Sequence, residues 1–178
     1  MGLSACHSGH PQVVIETSLG AITAEIYPDE APVTAGNFLK LVDGKMFDQG
    51  ATFYRVTRDD NQPNSEFKID VIQGGLRGYT ETDPIPHETT KETGLSHIDG
   101  SLSMARSEPG TASSEFFICI GEQPELDFGG RRNPDGVGFA VFGRVTAGMD
   151  IVRKIQKQKD DGQYLTEPVV ILTIRRIK

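Results

Sequence analysis

Three short segments, far apart in the chain, each combine a polar side chain that can bind an amide with apolar side chains that can hold a small ring. They are residues 53–56 (Phe-Tyr-Arg-Val), 71–75 (Val-Ile-Gln-Gly-Gly) and 113–118 (Ser-Ser-Glu-Phe-Phe-Ile). Guanidinium, amide and carboxylate groups supply the hydrogen-bond donors and acceptors. A shallow cup of aromatic and aliphatic side chains is enough to hold such a ring. No single segment identifies a function, but the order of the three segments and their occurrence together favour a site that acts on a peptide.

Arg55 is the main candidate for chemistry. Rotation about the peptide bond that precedes a proline is slow because amide resonance imposes a barrier of about 18–20 kcal/mol. Twisting this bond localises a lone pair on the prolyl nitrogen, and a guanidinium that donates to that nitrogen binds the twisted state better than either planar isomer. The alternative is an ordinary surface arginine on a strand. Taken alone, residues 53–56 favour that alternative, and only the neighbouring motifs reverse the preference.

Other reactive groups have no supporting pattern in the sequence. The two cysteines, Cys6 and Cys119, cannot build a disulfide framework, and no metal-ligand spacing is present. The glycines at residues 74–75 are not completed to a phosphate-binding loop, and a bulge or a close backbone approach is the better interpretation. We therefore expect neither a metal nor a cofactor. Cys119 lies in the apolar run 116–120 and is expected to be a buried thiol.

Composition limits the class of protein. The chain has 178 residues, of which 37% are hydrophobic and 24% are charged. These values are typical of a single soluble globular domain with a sizeable core. The 18 basic and 25 acidic side chains give a net charge of -7, which disfavours nucleic acid or an anionic membrane as the main partner. No apolar run is long enough to span a bilayer.

The pattern along the chain predicts mostly strands, with two helices. Many short strands separated by Gly and Pro favour a closed barrel or a sandwich. An opening hairpin is predicted around residues 18–20, and helices are predicted at residues 32–44 and 149–158. The predicted strands are residues 13–17, 21–27, 52–57, 69–73, 101–105, 116–120, 139–142 and 169–177.

Taken together, these motifs resemble those of the cyclophilins, a family of peptidyl-prolyl cis-trans isomerases, over residues 14–177. Residues 138–150 are closely similar to the closing part of bacterial members. The resemblance implies an all-β fold: a closed eight-stranded, mostly antiparallel cyclophilin-like β-barrel capped by two α-helices. It also implies a single-domain isomerase, or rotamase, that catalyses rotation of X-Pro peptide bonds and assists protein folding as a chaperone.

The resemblance assigns roles to individual residues. Arg55 and Gln73 correspond to the catalytic arginine and to the glutamine that orders it. Phe117 and Leu126 correspond to the residues that line the family's proline pocket, and residues 104–107 resemble the strand whose backbone pairs with an extended peptide. The substrate-binding residues implied in this way are Phe53, Val71, Ala105, Arg106, Ser107, Glu115, Phe117, Leu126 and Phe139.

Four positions depart from the family's pattern. Glu115 stands where most relatives have glutamine: either it pairs with Arg55 and competes with substrate, or it binds a peptide amide and leaves Arg55 free. Asp70 stands where the family has phenylalanine, on an alignment that the long preceding loop leaves open. The family's tryptophan that supports cyclosporin binding falls near Glu125, and a histidine found in many eukaryotic members falls at Phe139. We therefore expect weak cyclosporin binding and some change in peptide preference.

Two other functions are consistent with parts of the sequence. Asp70 and Glu115 would suit a binding module that grips proline-containing segments with little turnover. The fold class alone would suit a small-ligand barrel such as a lipocalin, although the lack of tryptophan argues against it. The expected partners are proline-containing peptides and unfolded or partly folded proteins, with no nucleic acid and no membrane span. The protein is expected to be a monomer.

Residues 1–12 have no periodic pattern and are expected to form a flexible N-terminal tail ahead of a cyclophilin-like domain at residues 13–178. Residues 3–6 (Leu-Ser-Ala-Cys) resemble the end of a bacterial lipoprotein signal, but the apolar stretch that should precede it is absent. A cytoplasmic location is favoured because no complete signal is present. A periplasmic lipoprotein is the alternative if residues 3–6 are a remnant of an export signal.

Overall fold

The computed structural model describes residues 9–77 and 82–177, which fold around one sheet. Its strands are β1 (Gln12–Thr17), β2 (Gly20–Ile26), β3 (Thr52–Thr57), β4 (Val71–Gly75), β5 (Ser101–Met104), β6 (Phe116–Cys119), β7 (Ala140–Ala147), β8 (Asp160–Asp161) and β9 (Tyr164–Ile177). The order is β1-β2-β7-β5-β6-β4-β3-β9, every pairing is antiparallel, and β9 also pairs with β1. The short β8 pairs only with β9. The expected closed, eight-stranded antiparallel barrel is confirmed.

Among the described residues, three α-helices accompany the barrel: α1 (Pro32–Asp43), α2 (Thr90–Thr93) and α3 (Met149–Gln156). Pro32 begins α1, where the N–H that proline lacks would have no partner within the helix, and Gly44 ends it. The sequence predicts α1 and α3, which contact different strands: β7 and β9 for α1, and β2, β3 and β4 for α3. The sequence did not predict α2, a single turn that begins at a capping box formed by Thr89 and Glu92.

Bulky apolar side chains fill the barrel interior. The ring of Phe116 is fully buried and lies edge-on to those of Phe38, Phe47 and Phe53, at centroid distances of 5.6, 5.8 and 5.7 Å. Such edge-on contacts are favourable for aromatic rings. Because these rings occupy the space in which a barrel of this size could hold a small ligand, the lipocalin-like alternative is wrong. A peptide site has to lie on the outside of the barrel wall.

A second apolar cluster lies outside the barrel interior. Alternation along β6 explains it, because Phe116 and Ile118 belong to the interior while Phe117 and Cys119 belong to the second cluster. The free thiol of Cys119 is fully buried there, as predicted, and burial raises its pKa. The members of this cluster are Ile69, Val71, Phe117, Cys119 and Leu126, with Ala105 and Phe139 packed against them.

The chain enters the barrel one residue before the boundary predicted from the sequence. Gln12 begins β1, the carbonyl oxygen of Pro11 accepts a hydrogen bond from Ile26 N at 2.8 Å, and the ring of His10 contacts that of Tyr27 at 4.8 Å. The last residues of the predicted tail are therefore packed against the barrel. Residues 1–8, with the signal-like segment 3–6, lie outside the described residues. In the part of the chain that is described, no helix is both long and apolar enough to cross a membrane.

Candidate active site

A bulge in β3 turns Phe53 and Arg55 to opposite sides of the barrel wall. Residues i and i+2 of a regular strand share a face, but the register of β3 against β4 shifts between Phe53, opposite Gly74, and Arg55, opposite Gln73. An extra residue of this kind reverses the alternation that follows it. Phe53 is fully buried in the interior, whereas Arg55 lines an outer cavity. The prediction that Phe53 forms part of the substrate-binding wall is therefore wrong.

The outer cavity, which is called the main cavity below, has a volume of about 230 Å³. The rings of Phe117 and Phe139 meet edge-on in its wall, with their centroids 5.4 Å apart. Arg55 and Phe117 line the same cavity although they lie on different strands. The predicted site residues that line it are Arg55, Val71, Gln73, Ala105, Arg106, Phe117, Leu126 and Phe139.

Neutral oxygen atoms hold the guanidinium of Arg55. Its Nη1 donates to Oε1 of Gln73 at 2.9 Å, while Nε and Nη2 both donate to Oε1 of Gln163, at 3.1 and 2.7 Å. Within residues 9–77 and 82–177, no carboxylate forms an ion pair with Arg55. An arginine has five N–H groups, so the remaining ones can face a bound peptide while the side chain stays fixed.

Gln73 connects Arg55 to Glu115 through Tyr54. Nε2 of Gln73 donates to the hydroxyl of Tyr54 at 3.1 Å, and that hydroxyl donates to Oε2 of Glu115 at 2.5 Å. The other oxygen of Glu115 accepts a hydrogen bond from the backbone N–H of Arg77 at 2.8 Å. Glu115 is therefore bound to groups other than the guanidinium of Arg55, and the hypothesis that these two residues pair is wrong.

The hydroxyl of Tyr54 gives this chain of hydrogen bonds a direction. Burial, followed by the hydrogen bond to Glu115, raises the pKa of Tyr54 well above its usual value. The phenol therefore keeps its single proton, donates it to Glu115 and offers only lone pairs to Gln73. The amide nitrogen of Gln73 consequently faces Tyr54, and the amide oxygen faces Arg55.

Arg106 stabilises the loop that carries Phe139 through hydrogen bonds. Its guanidinium donates to both carboxylate oxygens of Asp135, at 2.8 and 3.1 Å, and twice to the carbonyl oxygen of Gly138, at 3.0 and 2.6 Å. The same group lies 4.9 Å from the ring centroid of Phe139. The hydrogen bond from Arg106 lowers the pKa of Asp135, so the carboxylate stays charged and balances the guanidinium. Arg106 thus has a structural role in addition to lining the cavity.

A second cavity of about 200 Å³ shares part of the wall of the first. Two N–H groups of its wall are already engaged, since Ala105 N donates to the carbonyl oxygen of Glu115 at 2.9 Å and Ser107 N donates to Oγ1 of Thr111 at 3.1 Å. Strand addition by a peptide would have to use the other backbone groups of residues 105–107. The second cavity is lined by Gln73, Ala105, Arg106, Ser107, Thr111, Ser113 and Glu115.

Ile69, and not Asp70, lines the main cavity. Oδ1 of Asp70 accepts a hydrogen bond from Nε2 of Gln156 at 3.0 Å, which directs this carboxylate to α3. The long loop before Asp70 leaves its alignment with the family's phenylalanine open. The neighbouring apolar side chain, Ile69, lies in the cavity wall. Asp70 therefore bears on helix packing and not directly on the cavity.

Arg132 and Gln163 are site residues that the sequence analysis missed. Arg132 is half-buried, and its Nη1 donates to Oγ of Ser65 and to the carbonyl oxygen of Phe67. Arg132 lines the same cavity as Arg55, and burial together with the charge of Arg55 lowers the pKa of Arg132. Both missed residues lie between regular elements, where no apolar periodicity or motif marks them.

His97 lies buried against the back of Phe117, with the ring centroids 5.9 Å apart and the planes 10° from parallel. Its ring nitrogens lie 2.7 Å from Oδ1 of Asp127 and 2.9 Å from Oγ of Ser103. These three residues resemble a hydrolytic triad in arrangement, but Ser103 is fully buried and cannot reach a substrate. His97 therefore packs behind the cavity. Burial lowers its pKa, although Asp127 acts in the opposite direction.

The arrangement can hold a small ring against apolar side chains and present guanidinium N–H groups to it. No group of three or more His, Cys, Asp and Glu side chains that could bind a metal ion occurs among the described residues. Glu125 is bound by the guanidinium of Arg131, which lowers the pKa of Glu125.

Comparison with known proteins gives a consistent result. Residues 12–176 match the family model described as "Cyclophilin type peptidyl-prolyl cis-trans isomerase/CLD". The chain is 33% identical over 154 residues to a peptidyl-prolyl cis-trans isomerase of Acinetobacter baylyi, covering 86% of this chain and 76% of that protein. It is 33% identical over 172 residues to peptidyl-prolyl cis-trans isomerase A of Dickeya dadantii, covering 93% of this chain and 84% of that protein.

A solved structure has the same fold. The crystal structure of a cyclophilin-type peptidyl-prolyl cis-trans isomerase from Cryptosporidium parvum, in the presence of the dipeptide Ala-Pro, superposes with a TM-score of 0.73. The match covers 94% of this chain and 99% of that chain, at 21% sequence identity. At this identity the likeness concerns the fold alone.

Proposed function

Because the chain belongs to the cyclophilin-type peptidyl-prolyl cis-trans isomerase family, it catalyses rotation of X-Pro peptide bonds, and we propose that Arg55 and Gln73 are its catalytic residues. One observation supports this assignment above all. The guanidinium of Arg55 lines the same cavity as the ring of Phe117, and Oε1 of Gln73 holds its Nη1 at 2.9 Å. A donor to the prolyl nitrogen and a cup for the prolyl ring are thus adjacent.

The energetics require more than one hydrogen bond. An acceleration of about 10⁵ corresponds to a barrier lower by about 7 kcal/mol. A hydrogen bond from Arg55 to the localised lone pair contributes about 1.5–3 kcal/mol. The remainder comes from removing water around the X-Pro carbonyl and from holding the peptide partly twisted. A fixed arginine matters for both, because a donor that is already in place needs no reorganisation when the bond twists.

The prolyl ring is assigned to the apolar part of the cavity. Phe117 and Leu126 are buried at 4% and 0% exposure, which leaves little room for movement, and Phe139 and Val71 complete the wall. A five-membered ring that enters this cup brings its nitrogen toward the guanidinium of Arg55. The site therefore selects proline by shape and acts on it by a single directed donor.

The peptide on either side of the proline is assigned to the second cavity. Ala105 and Arg106 line both cavities, so an extended chain can pass from one to the other along residues 105–107. Ser107 and Glu115 are the polar groups there that we assign to peptide binding. Glu115 already accepts from Tyr54, Arg77 and Ser114, so we assign a peptide N–H to the remaining lone pair of Oε2.

The experiment is a protease-coupled isomerisation assay on a short X-Pro peptide with wild type and Arg55→Ala. We expect Arg55→Ala to lose at least tenfold in kcat/KM while it still binds the peptide, measured by the shift of its NMR signals. Arg175→Ala is the matched control, because Arg175 is exposed on β9 and pairs with Glu16. Equal rates for wild type and Arg55→Ala would overturn the catalytic assignment. Binding by the wild type without turnover would favour the binding-module alternative.

We further propose that the natural partners are unfolded or partly folded proteins with exposed X-Pro bonds. Slow proline isomerisation takes tens to hundreds of seconds in refolding chains. Catalytic amounts of wild type should therefore shorten the slow refolding phase of a protein with a native cis-proline, and Arg55→Ala should not. An unchanged slow phase with active wild type would restrict the substrates to short peptides. Light scattering in solution tests the proposal that the protein is a monomer.

Weak cyclosporin binding is proposed from Glu125. This carboxylate, bound to Arg131, stands in place of an aromatic ring that would cover the inhibitor with apolar surface. Burying a charged pair against an apolar ligand is costly. Titration calorimetry should give a dissociation constant in the micromolar range or weaker, and Glu125→Trp should tighten it. A nanomolar constant for the wild type would contradict the proposal.

A further inference from the structure

Gln163 makes more hydrogen bonds to Arg55 than Gln73 does. Its Oε1 accepts from Nε at 3.1 Å and from Nη2 at 2.7 Å, whereas Gln73 accepts only from Nη1 at 2.9 Å. Together, the two amide oxygens accept hydrogen bonds from all three nitrogen atoms of the guanidinium. Gln163 does not line the main cavity, so it can act on a substrate only through Arg55.

Gln163 lies in the turn between β8 and β9, in a backbone conformation that glutamine rarely adopts. Its φ is +81°, in the left-handed region, where a residue with a side chain is strained by about 1–3 kcal/mol. Gly162 directly before it also has a positive φ, of +55°. A glycine at position 163 would adopt this turn without strain. Glutamine at this position is therefore strained, and its side-chain oxygen makes two hydrogen bonds to Arg55.

The turn is anchored on both sides of Gln163. The carbonyl oxygen of Gln163 accepts from Val56 N at 2.8 Å, next to Arg55 on β3, and its backbone N–H donates to Oδ2 of Asp160 at 3.0 Å. Nε2 of Gln163 donates to the carbonyl oxygen of Asn61 at 3.2 Å, which leaves its oxygen facing the arginine. Asp160 is itself bound by Arg58, with which it forms an ion pair. The oxygen of Gln163 is therefore fixed before any substrate arrives.

The chemistry of the acceptor matters as much as its position. An amide oxygen orients a guanidinium without cancelling its charge, so the full positive charge stays available for the prolyl nitrogen. A carboxylate at the same place would form a bidentate ion pair with Arg55 and compete with the substrate. The structure thus combines a strained turn, two hydrogen bonds and a neutral acceptor at one residue.

We propose that Gln163 is a positioning residue for Arg55: the strained turn between β8 and β9 holds its amide oxygen where it fixes the guanidinium for the twisted X-Pro bond. This inference rests on the proposed role of Arg55. Misplacement of a catalytic group by about 1 Å can cost about 10²-fold in rate. Loss of the Gln163 side chain should therefore lower kcat by about tenfold to 10²-fold and change KM little, because the apolar cup is untouched.

The experiment compares Gln163→Gly, Gln163→Asn and Gln163→Glu with the wild type in the isomerisation assay, with thermal unfolding measured for each. Glycine removes the side chain and relieves the positive φ, and asparagine tolerates that φ but is too short to reach Arg55. Both should lose kcat, although neither is strained at this backbone position. Gln158→Ala is the matched control, because its side chain bonds only to Lys154 on the surface at the end of α3.

Gln163→Glu adds a readout that a purely structural role would not change. Its ionised carboxylate should bind Arg55, and this pairing lowers the carboxyl pKa below the ordinary value of glutamate, so kcat should be low at neutral pH and rise only as pH falls below about 4.3. The wild type should lack this rise. Wild-type kcat in both Gln163→Gly and Gln163→Asn would overturn the positioning role while leaving the function intact. An Arg55→Ala variant as active as wild type would instead overturn the proposed role of Arg55 on which the inference rests.

Discussion

The hydroxyl of Tyr54 donates to Oε2 of Glu115 at 2.5 Å, so this carboxylate is bound by a neutral side chain and not by Arg55. The same hydroxyl accepts from Nε2 of Gln73, and Gln73 in turn accepts from Arg55. A glutamate in this site is therefore compatible with a free guanidinium. Its negative charge acts through two intervening side chains and fixes the direction of their hydrogen bonds.

Glu115→Gln should leave the pH dependence of the rate unchanged. In the structure, ionised Glu115 binds Tyr54 and the backbone of Arg77, so its protonation does not release Arg55. We expect parallel profiles of kcat/KM against pH for the variant and the wild type in the isomerisation assay. A profile that flattens only in the variant would mean that Glu115 competes with substrate for the guanidinium after all.

Tyr54→Phe should lower kcat by about two- to tenfold, which corresponds to the loss of one neutral hydrogen bond worth about 0.5–1.5 kcal/mol. Without the hydroxyl, the amide of Gln73 loses the acceptor that orients it toward Arg55. The ring itself remains, but Glu115 loses a hydrogen-bond donor, so the free energy of unfolding should also fall, by about 1.5–3 kcal/mol. Tyr164→Phe serves as the control, because Tyr164 is half exposed on β9. Equal losses in the two variants would argue against a role for the chain of hydrogen bonds.

Phe53→Ala and Phe117→Ala should separate stability from catalysis. Phe53 is fully buried in the barrel interior, and its truncation should cost about 3–5 kcal/mol of unfolding free energy. In the Phe53→Ala protein that remains folded, KM for an X-Pro peptide should equal that of the wild type. Phe117 lines the cavity, so Phe117→Ala should raise KM for an X-Pro peptide in addition to any loss of stability. Denaturant titration and steady-state kinetics measure the two effects, and a raised KM in folded Phe53→Ala would restore its predicted place in the wall.

The misplacement of Phe53 marks one limit of reading this site from sequence. Alternation along a strand has period two, so Phe53 and Arg55 are expected on one face. The register of β3 shifts between them, however, and nothing local in residues 53–56 signals that shift. The glycines at 74–75 suggested a bulge or a close approach, and Gly74 does face Phe53 in the paired strand. Most strands, α1 and α3 were predictable from apolar patterns, whereas the choice of a closed barrel over a sandwich came from the resemblance to the family.

Residues that reach the site from irregular segments were a second limit. Gln163 and Arg132 lie far in sequence from Arg55 and belong to a turn and a loop, where side-chain periodicity carries no information. Their roles depend on where the folded backbone brings these segments. Phe117 and Gln73 were proposed because each belongs to a motif with recognisable neighbours, and Leu126 was proposed from the resemblance to the family. These predictions named residues that line the cavity and missed those that hold Arg55 and its surroundings.

Arg132 should favour peptides with an acidic residue next to the proline. Its half-buried guanidinium lines the main cavity and is held by neutral groups, Ser65 and Phe67. A pair between this cation and a peptide carboxylate is worth up to about 1 kcal/mol when partly exposed, or about fivefold in kcat/KM. We expect a Glu-Pro peptide to be preferred over its Gln-Pro counterpart by the wild type, and added salt to reduce the preference.

The matched variant for that prediction is Arg132→Gln, with Arg131→Gln as its control because Arg131 is bound to Glu125. For each protein, the measured quantity is the ratio of kcat/KM for the Glu-Pro peptide to kcat/KM for the Gln-Pro peptide. This ratio reduces the effect of differences in net charge, which is -7 for the wild type, between the proteins. An unchanged Glu/Gln ratio in Arg132→Gln would refute the preference.

His97 should make the protein less stable in mild acid. Burial lowers its pKa in the folded state, so folded His97 stays neutral at a pH where an unfolded histidine, with a pKa of about 6.5, takes up a proton. The unfolded state then binds more protons, and the free energy of unfolding falls as pH drops below about 6.5. His97→Asn should show a smaller fall between about pH 7.5 and about pH 5. His10→Asn is the control, and an equal fall in His97→Asn would assign the acid sensitivity elsewhere.

The pairing of β9 with both β1 and β3 has a consequence for how this protein is made. These partners lie near the start and in the first third of the chain, while β9 spans Tyr164–Ile177. During synthesis, the edges of β1 and β3 stay open until the final strand has left the ribosome, because only that strand can join them. The barrel of this isomerase can therefore close only after β9 has been synthesised.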